Sequence, residues 1–402
     1  MTASNTRFLT SITRLIRFRD LLNPKMHILF LSKNKLNLGY GGENSIKQLS
    51  VRLFAKNKIT VATGGGGTNN TDFKNLLEKS GIQILESSRK TVSKLKSDTE
   101  FMNQLKAVLN DVDIIYALDF PTSPLITRSL MRSQLALPII KGHHTPLNVR
   151  NHSLAPRRIQ AYYKFIKPIR IKAYGRFHYH HVINSADEKV LQHWRGTKIF
   201  RIPSGINIAE HSPLEKFDEF TLLFLGRLDF QKGFDFLPEL FNGIRDNVGK
   251  FKLIIGGEGR MKKLAFELSE SDSRIEYRGF LTQEDRFRLL AKSHLILFPS
   301  RWETYGLVPL EGMASGTPTV SFDIPGPTEY IRNGRNGYLV NTLQQMVRCI
   351  GDVARSINDE EYRNLSGNAL TDAKEYDWSL IAQKYQNMFN SVLDETEDDF
   401  HR

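Results

Sequence analysis

Cysteine is nearly absent from this chain. Cys349 stands alone among 402 residues, so no internal disulfide can form and no thiolate cluster is available to a metal, which suits a reducing compartment. No apolar run approaches the roughly 18 residues of a membrane span, and the first 25 residues lack the apolar core of a signal peptide, which points to a cytoplasmic location. Acidic residues are in deficit, 43 against 56 Lys and Arg, for a net charge of +13 and a pI near 9.6. That deficit implies an anionic partner: a nucleotide, an anionic membrane or a nucleic acid. The glycine run at 64–67 is not followed by the Gly-Lys-Ser/Thr ending of a phosphate-binding P-loop, so it reads as a lid or a plain linker.

A chain of 402 residues exceeds what one core usually supports, so two domains are expected. Residues 1–25 form a basic extension with Arg7, Arg14, Arg17, Arg19 and Lys25; Phe8, Ile12, Leu15, Ile16 and Leu22 fall near helical spacing. It reads either as a basic amphipathic anchor or as a disordered extension. From 26 onward apolar runs alternate with amphipathic stretches. Strands are expected at 26–31, 59–63, 82–85, 112–117, 138–141, 181–184 and 199–202, which makes 26–205 one doubly wound domain. A polar break at 203–216 reads as a linker. Strands at 221–226, 252–255, 274–277, 294–299 and 317–322 then make 206–376 a second domain. Residues 377–402 read as a helix packing back toward the first domain, then an acidic tail. The fold class is α/β, two Rossmann-like domains facing a central cleft.

The residues with chemical potential cluster in the second domain. Gly226-Arg227-Leu228-Asp229-Phe230-Gln231-Lys232-Gly233 follows its first strand. Two fixed cations there suit a diphosphate leaving group, whose negative charge grows as its bond to a sugar breaks; the plain alternative is a solvated Arg/Lys turn. Gly256-Gly257-Glu258-Gly259 is a second strand-to-glycine junction, where Gly257 would let a ligand approach the backbone. The segment 298–318 places Glu303 before a helix running from about Gly306 to Ala314 and Glu311 more than a turn inside it. Tyr305, Gly306 and Leu307 supply helix-start N–H donors for an anion. Asp111-Val112-Asp113 matches an Asp-x-Asp metal pattern, but it lies at the wrong edge of its sheet and reads as a helix-to-strand connection, so no metal is expected.

Gly-Arg-x₄-Lys-Gly, Gly-Gly-Glu-Gly, Glu-x₇-Glu, Gly326-Pro327-Thr328-Glu329-Tyr330 and Gly334-Arg335-Asn336-Gly337-Tyr338-Leu339 come in a familiar order and spacing. In this the chain resembles the retaining nucleotide-sugar glycosyltransferases of GT-B family 4, densely over 203–345 and thinly before that. The resemblance implies that Arg227 and Lys232 bind the diphosphate, Glu311 the ribose and Glu303 the donor sugar, with the N–H groups at 305–307 on the distal phosphate. It also implies that Gly41 and Gly42, where Gly39-Tyr40-Gly41-Gly42-Glu43 opens a helix, approach the same diphosphate on domain closure. Such enzymes place one histidine at the end of a first-domain strand. Here a doublet, His143-His144, occupies that place; counting from Pro138 favours His144, with His143 the alternative. The expected activity is retaining, metal-independent transfer of a hexose from a UDP- or GDP-sugar, without a cofactor.

From Arg150 to His181 the chain holds Arg150, Arg157, Arg158, Lys164, Lys167, Arg170, Lys172 and Arg176 without an acidic residue, interleaved with Tyr162, Tyr163, Phe165, Tyr174, Phe177 and Tyr179. At about 1 kcal/mol per basic residue near an anionic bilayer, such a patch suits reversible membrane contact and a lipid-linked or membrane-proximal glycan acceptor. The alternative is a solvated basic helix. Single-stranded nucleic acid would also fit a basic aromatic patch, but it leaves Arg227, Lys232 and both glutamates without a task. A nucleotide-sugar epimerase of the same fold is the nearer competitor; a phosphorylase would need a pyridoxal-phosphate lysine that the sequence does not place.

Overall fold

The computed structural model describes residues 26–32, 41–63, 81–87, 98–118, 137–147, 157–166, 175 and 177–400. The basic extension at 1–25 and the glycine loop at 64–67 lie outside them. The described residues fall into two compact units, one drawn from 1–147, 165–204 and 378–402 and the other from 148–164 and 205–377.

The first unit is built on seven strands: β1 (His27–Ser32), β2 (Lys58–Thr63), β3 (Gln83–Glu86), β4 (Ile114–Leu118), β5 (Ile139–His143), β6 (Tyr179–Val182) and β7 (Lys198–Arg201). They form one sheet in the order β3-β2-β1-β4-β5-β6-β7. Every pairing is parallel. Helices α1 (Gly41–Leu53), α2 (Thr99–Leu109) and α3 (Ser185–Leu191) connect strands, and a C-terminal helix spans Trp378–Phe400. β1 and β4 are buried at every position, as expected of parallel strands covered on both faces. Alternation along β1 divides its side chains: Ile28 and Phe30 join Ile46, Leu49, Tyr116 and Ile140 in one core. Leu29 and Leu31 join Phe101, Leu105, Ile115 and Ala117 in the other.

The C-terminal helix belongs to the first of these cores through Trp378, Ile381, Tyr385 and Phe389. Its polar face is also engaged: Asn57 Nδ2 donates to Gln386 Oε1 at 2.6 Å, and Lys198 Nζ donates to Ser391 Oγ at 3.1 Å. Asp394, Glu395 and Glu397 lie within the helix, so the expected acidic tail is its final turns. Lys198 pairs with Glu395 there.

The second unit repeats the plan with β8 (Thr221–Leu225), β9 (Lys252–Gly256), β10 (Ile275–Tyr277), β11 (Leu295–Phe298), β12 (Thr319–Phe322) and β13 (Tyr338–Val340). Their order is β10-β9-β8-β11-β12-β13, again parallel throughout. The helices are α4 (Leu237–Asn247), α5 (Lys262–Ser271), α6 (Gln283–Lys292), α7 (Leu307–Ala314), α8 (Leu343–Ser356) and α9 (Glu360–Ala373). Caps explain several starts: Thr282 Oγ1 accepts from Asp285 N at 3.1 Å, and Thr342 Oγ1 from Gln345 N at 3.2 Å, so orphan N–H groups of α6 and α8 are satisfied. β13, three residues directly after the Gly334-Arg335-Asn336-Gly337 turn, was not expected.

The polar stretch after Ser204 is less of a linker than its composition implies. Ile206 N donates to Tyr376 O at 2.9 Å and Ile208 N to Asp377 Oδ2 at 3.2 Å. Lys216 Nζ donates to Ala291 O and Gly316 O, both at 3.0 Å, and to Thr317 Oγ1 at 2.6 Å. Burial pushes the Lys216 pKa down to about 7, while carbonyls just beyond or at helix ends hold its ammonium.

Both sheets reverse strand order next to their first strand, between β1 and β4 and between β8 and β11. Ligand sites in open α/β sheets form beyond the carboxyl ends of strands at such a reversal. Asp111 and Asp113 are at the other edge: Asp113 Oδ2 accepts from His27 N at 2.6 Å, and Asp111 pairs with Lys58. No helix among the described residues is long and apolar enough to cross a membrane. Trp378 is 1% exposed, so Trp378→Ala is expected to cost about 3–5 kcal/mol through the cavity it leaves. Urea unfolding followed by circular dichroism would show this as a lowered midpoint.

Candidate functional site

The loops after β8 and β11 carry the charged residues of the second unit. In the β8 loop, Asp229 Oδ1 accepts from Lys232 N at 3.0 Å, closing a turn that aims Lys232 at the neighbouring loop. Lys232 Nζ meets Glu303 Oε1 at 2.5 Å and sits 5.5 Å from the centre of the Phe298 ring. The Glu303 side chain is 8% exposed and that of Lys232 19%. Charges so withdrawn from water need a partner, and each is the other's. Arg227 differs: 57% exposed, it pairs with Asp229 at 2.8 Å and donates to Gln231 Oε1 at 2.9 Å.

Arg301, not singled out from the sequence, joins the two loops. Its guanidinium forks onto Asp235 at 2.6 and 2.7 Å and donates to Phe230 O at 2.6 Å. It lies 3.5 Å from the centre of the Phe230 ring and 3.8 Å from that of Phe236. The backbone adds Arg301 N donating to Gln231 O at 2.8 Å, and Gln231 Nε2 donates to Trp302 O at 3.2 Å. A planar, permanently charged fork between two rings fits arginine and no other side chain.

Helix α7 begins at Leu307 after Gly306, whose φ of 79° is left-handed and therefore suits glycine. Tyr330 Oη donates to Tyr305 O at 3.2 Å and also to Gly306 O. In a planar trans peptide the N–H points opposite its carbonyl, so this tyrosine turns the N–H groups of Gly306 and Leu307 away from itself. Neither N–H has an acceptor among the described residues. Tyr305 itself is buried, 3% exposed. Glu311, one turn further on, pairs with Arg286. Burial raises the Glu311 pKa, and Arg286 opposes that rise.

Gly257 has a packing role beside the one its motif suggested. A Cβ there would lie 1.9 Å from Gly226 O, so the absence of a side chain is required for two βα loops of the protein to pass each other.

In the first unit the histidine doublet separates by burial. His143, 2% exposed, closes β5 with Nε2 3.0 Å from His180 Nδ1, the two rings stacked 5.3 Å apart. His144 lies just past the strand end and is half-buried. Its Nε2 is 3.2 Å from Tyr116 Oη. A Cβ on Gly42 would be 3.6 Å from that of His144, so α1 packs beside His144 at Gly42. Leu147 N donates to Asp187 Oδ1 at 2.7 Å, pinning the loop that follows. The basic region is mostly outside the described residues. Within it Arg157, Arg158 and Lys164 are exposed, whereas Phe177 and Tyr179, expected in an aromatic surface patch, are buried at 8% exposure each.

Arg301→Lys keeps the charge but loses the fork and the ring sandwich. We expect about 1–3 kcal/mol of destabilisation and faster proteolytic nicking within 226–236, read by mass spectrometry of the fragments. Unchanged cleavage there would remove Arg301 from its clamping role.

Residues 219–356 match the family model Glycosyl transferases group 1. An uncharacterised glycosyltransferase of Methanocaldococcus jannaschii is 31% identical over 183 residues, 44% of this chain and 46% of that protein. The phosphatidyl-myo-inositol mannosyltransferase of Mycobacterium leprae is 25% identical over 299 residues, 70% of this chain and 74% of that protein. Among solved structures, Anabaena HepE in complex with UDP and glucose superposes with a TM-score of 0.68 at 19% identity, over 91% of this chain and 100% of that one. Sucrose-phosphate synthase from Thermosynechococcus elongatus gives 0.72 at 17% identity, over 92% and 100%. The second unit therefore carries the Glycosyl transferases group 1 sequence model over 219–356, and the chain has the GT-B fold of these solved structures.

Proposed function

We propose that the protein is a retaining glycosyltransferase that moves a hexose from a UDP- or GDP-sugar to a glycan or lipid-linked acceptor at an anionic membrane surface, without a metal or other cofactor. The observation that carries the donor half of this reading is the Lys232–Glu303 pair at the β8/β11 reversal, flanked by Arg227 and by the N–H groups at the start of α7, which have no acceptor among the described residues. A diphosphate arriving there meets two cations and two backbone donors, enough to hold the charge that develops on the leaving group. As Lys232 turns to phosphate, Glu303 is released to accept from sugar hydroxyls. Glu311, held by Arg286, accepts from the ribose. In the first unit Gly41, Gly42 and His144 are the corresponding ligand contacts, His144 rather than His143, because His143 is already buried against His180.

The nucleotide is supported by the UDP bound to HepE, and a lipid-linked acceptor by the inositol-lipid substrate in the name of the mycobacterial relative. The basic residues Arg157, Arg158 and Lys164 provide a surface for anionic lipid.

Arg227→Ala and Lys232→Ala are each expected to lower kcat by about 10²–10³, with thermal unfolding close to that of the parent chain in Arg227→Ala and lowered in Lys232→Ala, where Glu303 loses its partner. Turnover assays over a panel of UDP- and GDP-sugars measure this, and near-normal rates in both variants would remove the diphosphate role. Turnover is expected to persist in EDTA, with the product keeping the anomeric configuration of the donor by NMR. Activity lost to the chelator and restored by magnesium or manganese would overturn the metal-free mechanism. Binding to anionic but not neutral liposomes is expected; equal binding to both, or to neither, would remove the membrane surface.

A further inference from the structure

Within the second unit, the polar stretch after Ser204 lies along the whole length of α6. Glu210 Oε2 accepts from Gln283 Nε2 at 3.1 Å, at the start of the helix. The His211 ring is 4.5 Å from that of Phe287, in its middle. Lys216 Nζ and Phe217 N close the far end, on Ala291 O at 3.0 Å and Lys292 O at 2.9 Å. The same stretch also reaches the end of α7, through His211 to Ser315 and through Lys216 to Gly316 and Thr317. It is a strap across two helices, and those helices carry the two halves of one ion pair, Arg286 on α6 and Glu311 on α7.

Both ties to α7 have a fixed direction. Ser315 Oγ donates to Glu311 O at 2.9 Å, so at its 3.0 Å contact with His211 Nδ1 the ring nitrogen donates. Thr317 Oγ1 lies 2.5 Å from Leu290 O and 3.1 Å from Ser293 O, and its one proton is committed to these carbonyls. Toward Lys216 it can only accept, as Ala291 O and Gly316 O do. Three acceptors take all three N–H bonds of an ammonium, and no carboxylate pairs with Lys216 among the described residues.

Glu311 depends on keeping its partner. Its side chain is 12% exposed, and burial favours the protonated carboxyl while Arg286 opposes it. Protonation would turn one acceptor oxygen into a donor.

We propose that Lys216 and His211 are positioning residues: the strap they fasten holds α6 against α7 and so keeps Arg286 on Glu311, with the carboxylate set to accept from ribose hydroxyls. They act through the helices, since their hydrogen bonds go to Ser315, Ala291, Gly316 and Thr317 and not to the ion pair itself. The inference deepens the nucleotide-sugar reading above and rests on its assignment of Glu311 to the ribose.

The test measures, by calorimetry on the full chain, binding of UDP or GDP, whichever binds more tightly, and of its 2′,3′-dideoxy counterpart. It is run at about pH 6.5, below the Lys216 pKa of about 7 and far below the ordinary lysine value. The parent chain is expected to prefer the natural diphosphate by about tenfold or more, the worth of a hydrogen bond to a charged acceptor. Lys216→Met and Ser315→Ala each remove one tie, and each should cut that preference to about threefold or less while affinity for the dideoxy ligand stays within about twofold. Because the variants remove different ties, the result does not hang on the folding of either one, which thermal unfolding checks. Glu311→Ala should abolish the preference. A preference that survives in Glu311→Ala would overturn the ribose assignment itself. One that is lost there but kept at parent strength in Lys216→Met and Ser315→Ala would overturn the strap's role alone, as would equal weakening of both ligands in those two variants.

Discussion

Lys232 and Glu303 are 71 residues apart in sequence and 2.5 Å apart in space because β8 and β11 are neighbours. Right-handed crossovers lay β9 and β10 to one side of β8, and the chain then returns to place β11 on the other side. The loops leaving β8 and β11 must diverge around that seam, which leaves room between them. Every charged group assigned to the donor site stands on one of these loops or on the helix that follows β11. The rest of the second unit serves to keep the two strand ends together.

Charge in this unit is divided by burial. Arg301 and Lys216 are enclosed, with their donors on carbonyls, a hydroxyl or Asp235, and act as internal ties. Arg227 is more than half exposed, and its partners lie within its own loop, so exchanging them for a ligand phosphate leaves no buried group orphaned. Lys232 and Glu303 are intermediate. Their pairing satisfies both in the unliganded protein, and a ligand bearing phosphate at one end and hydroxyls at the other replaces the partner of each. The same accounting sets His143 apart from His144: the first has its ring bonded and stacked inside the unit, the second bonds through Nε2 alone among the described residues.

Much of the fold was readable from pattern. The long buried strands of both sheets stand out as apolar runs, and the expected bounds fall within a residue or two of those observed. β13 escaped because its residues follow directly on a glycine turn and read as part of that motif. The helix at 307–314 was readable from the glycine before it and the apolar stripe within it. Arg301 was invisible as a clamp because its partners, Asp235 and the rings of Phe230 and Phe236, lie some 65 to 71 positions away, and no local pattern encodes that separation. Phe177 and Tyr179 looked like part of a surface patch because they sit among basic residues; the sheet takes them inward.

The sequence by itself determined two α/β repeats, the carboxyl-end loops that carry glycine, arginine, lysine and glutamate, and the resemblance to a nucleotide-sugar transferase, since all of these depend on residue type and short spacing. Tertiary structure alone decided which loops are adjacent, which glycine makes room for another stretch of backbone, which cation ties the loops together and which histidine is buried against another. Those outcomes depend on strand order and on burial, and both arise from contacts between residues tens to hundreds of positions apart.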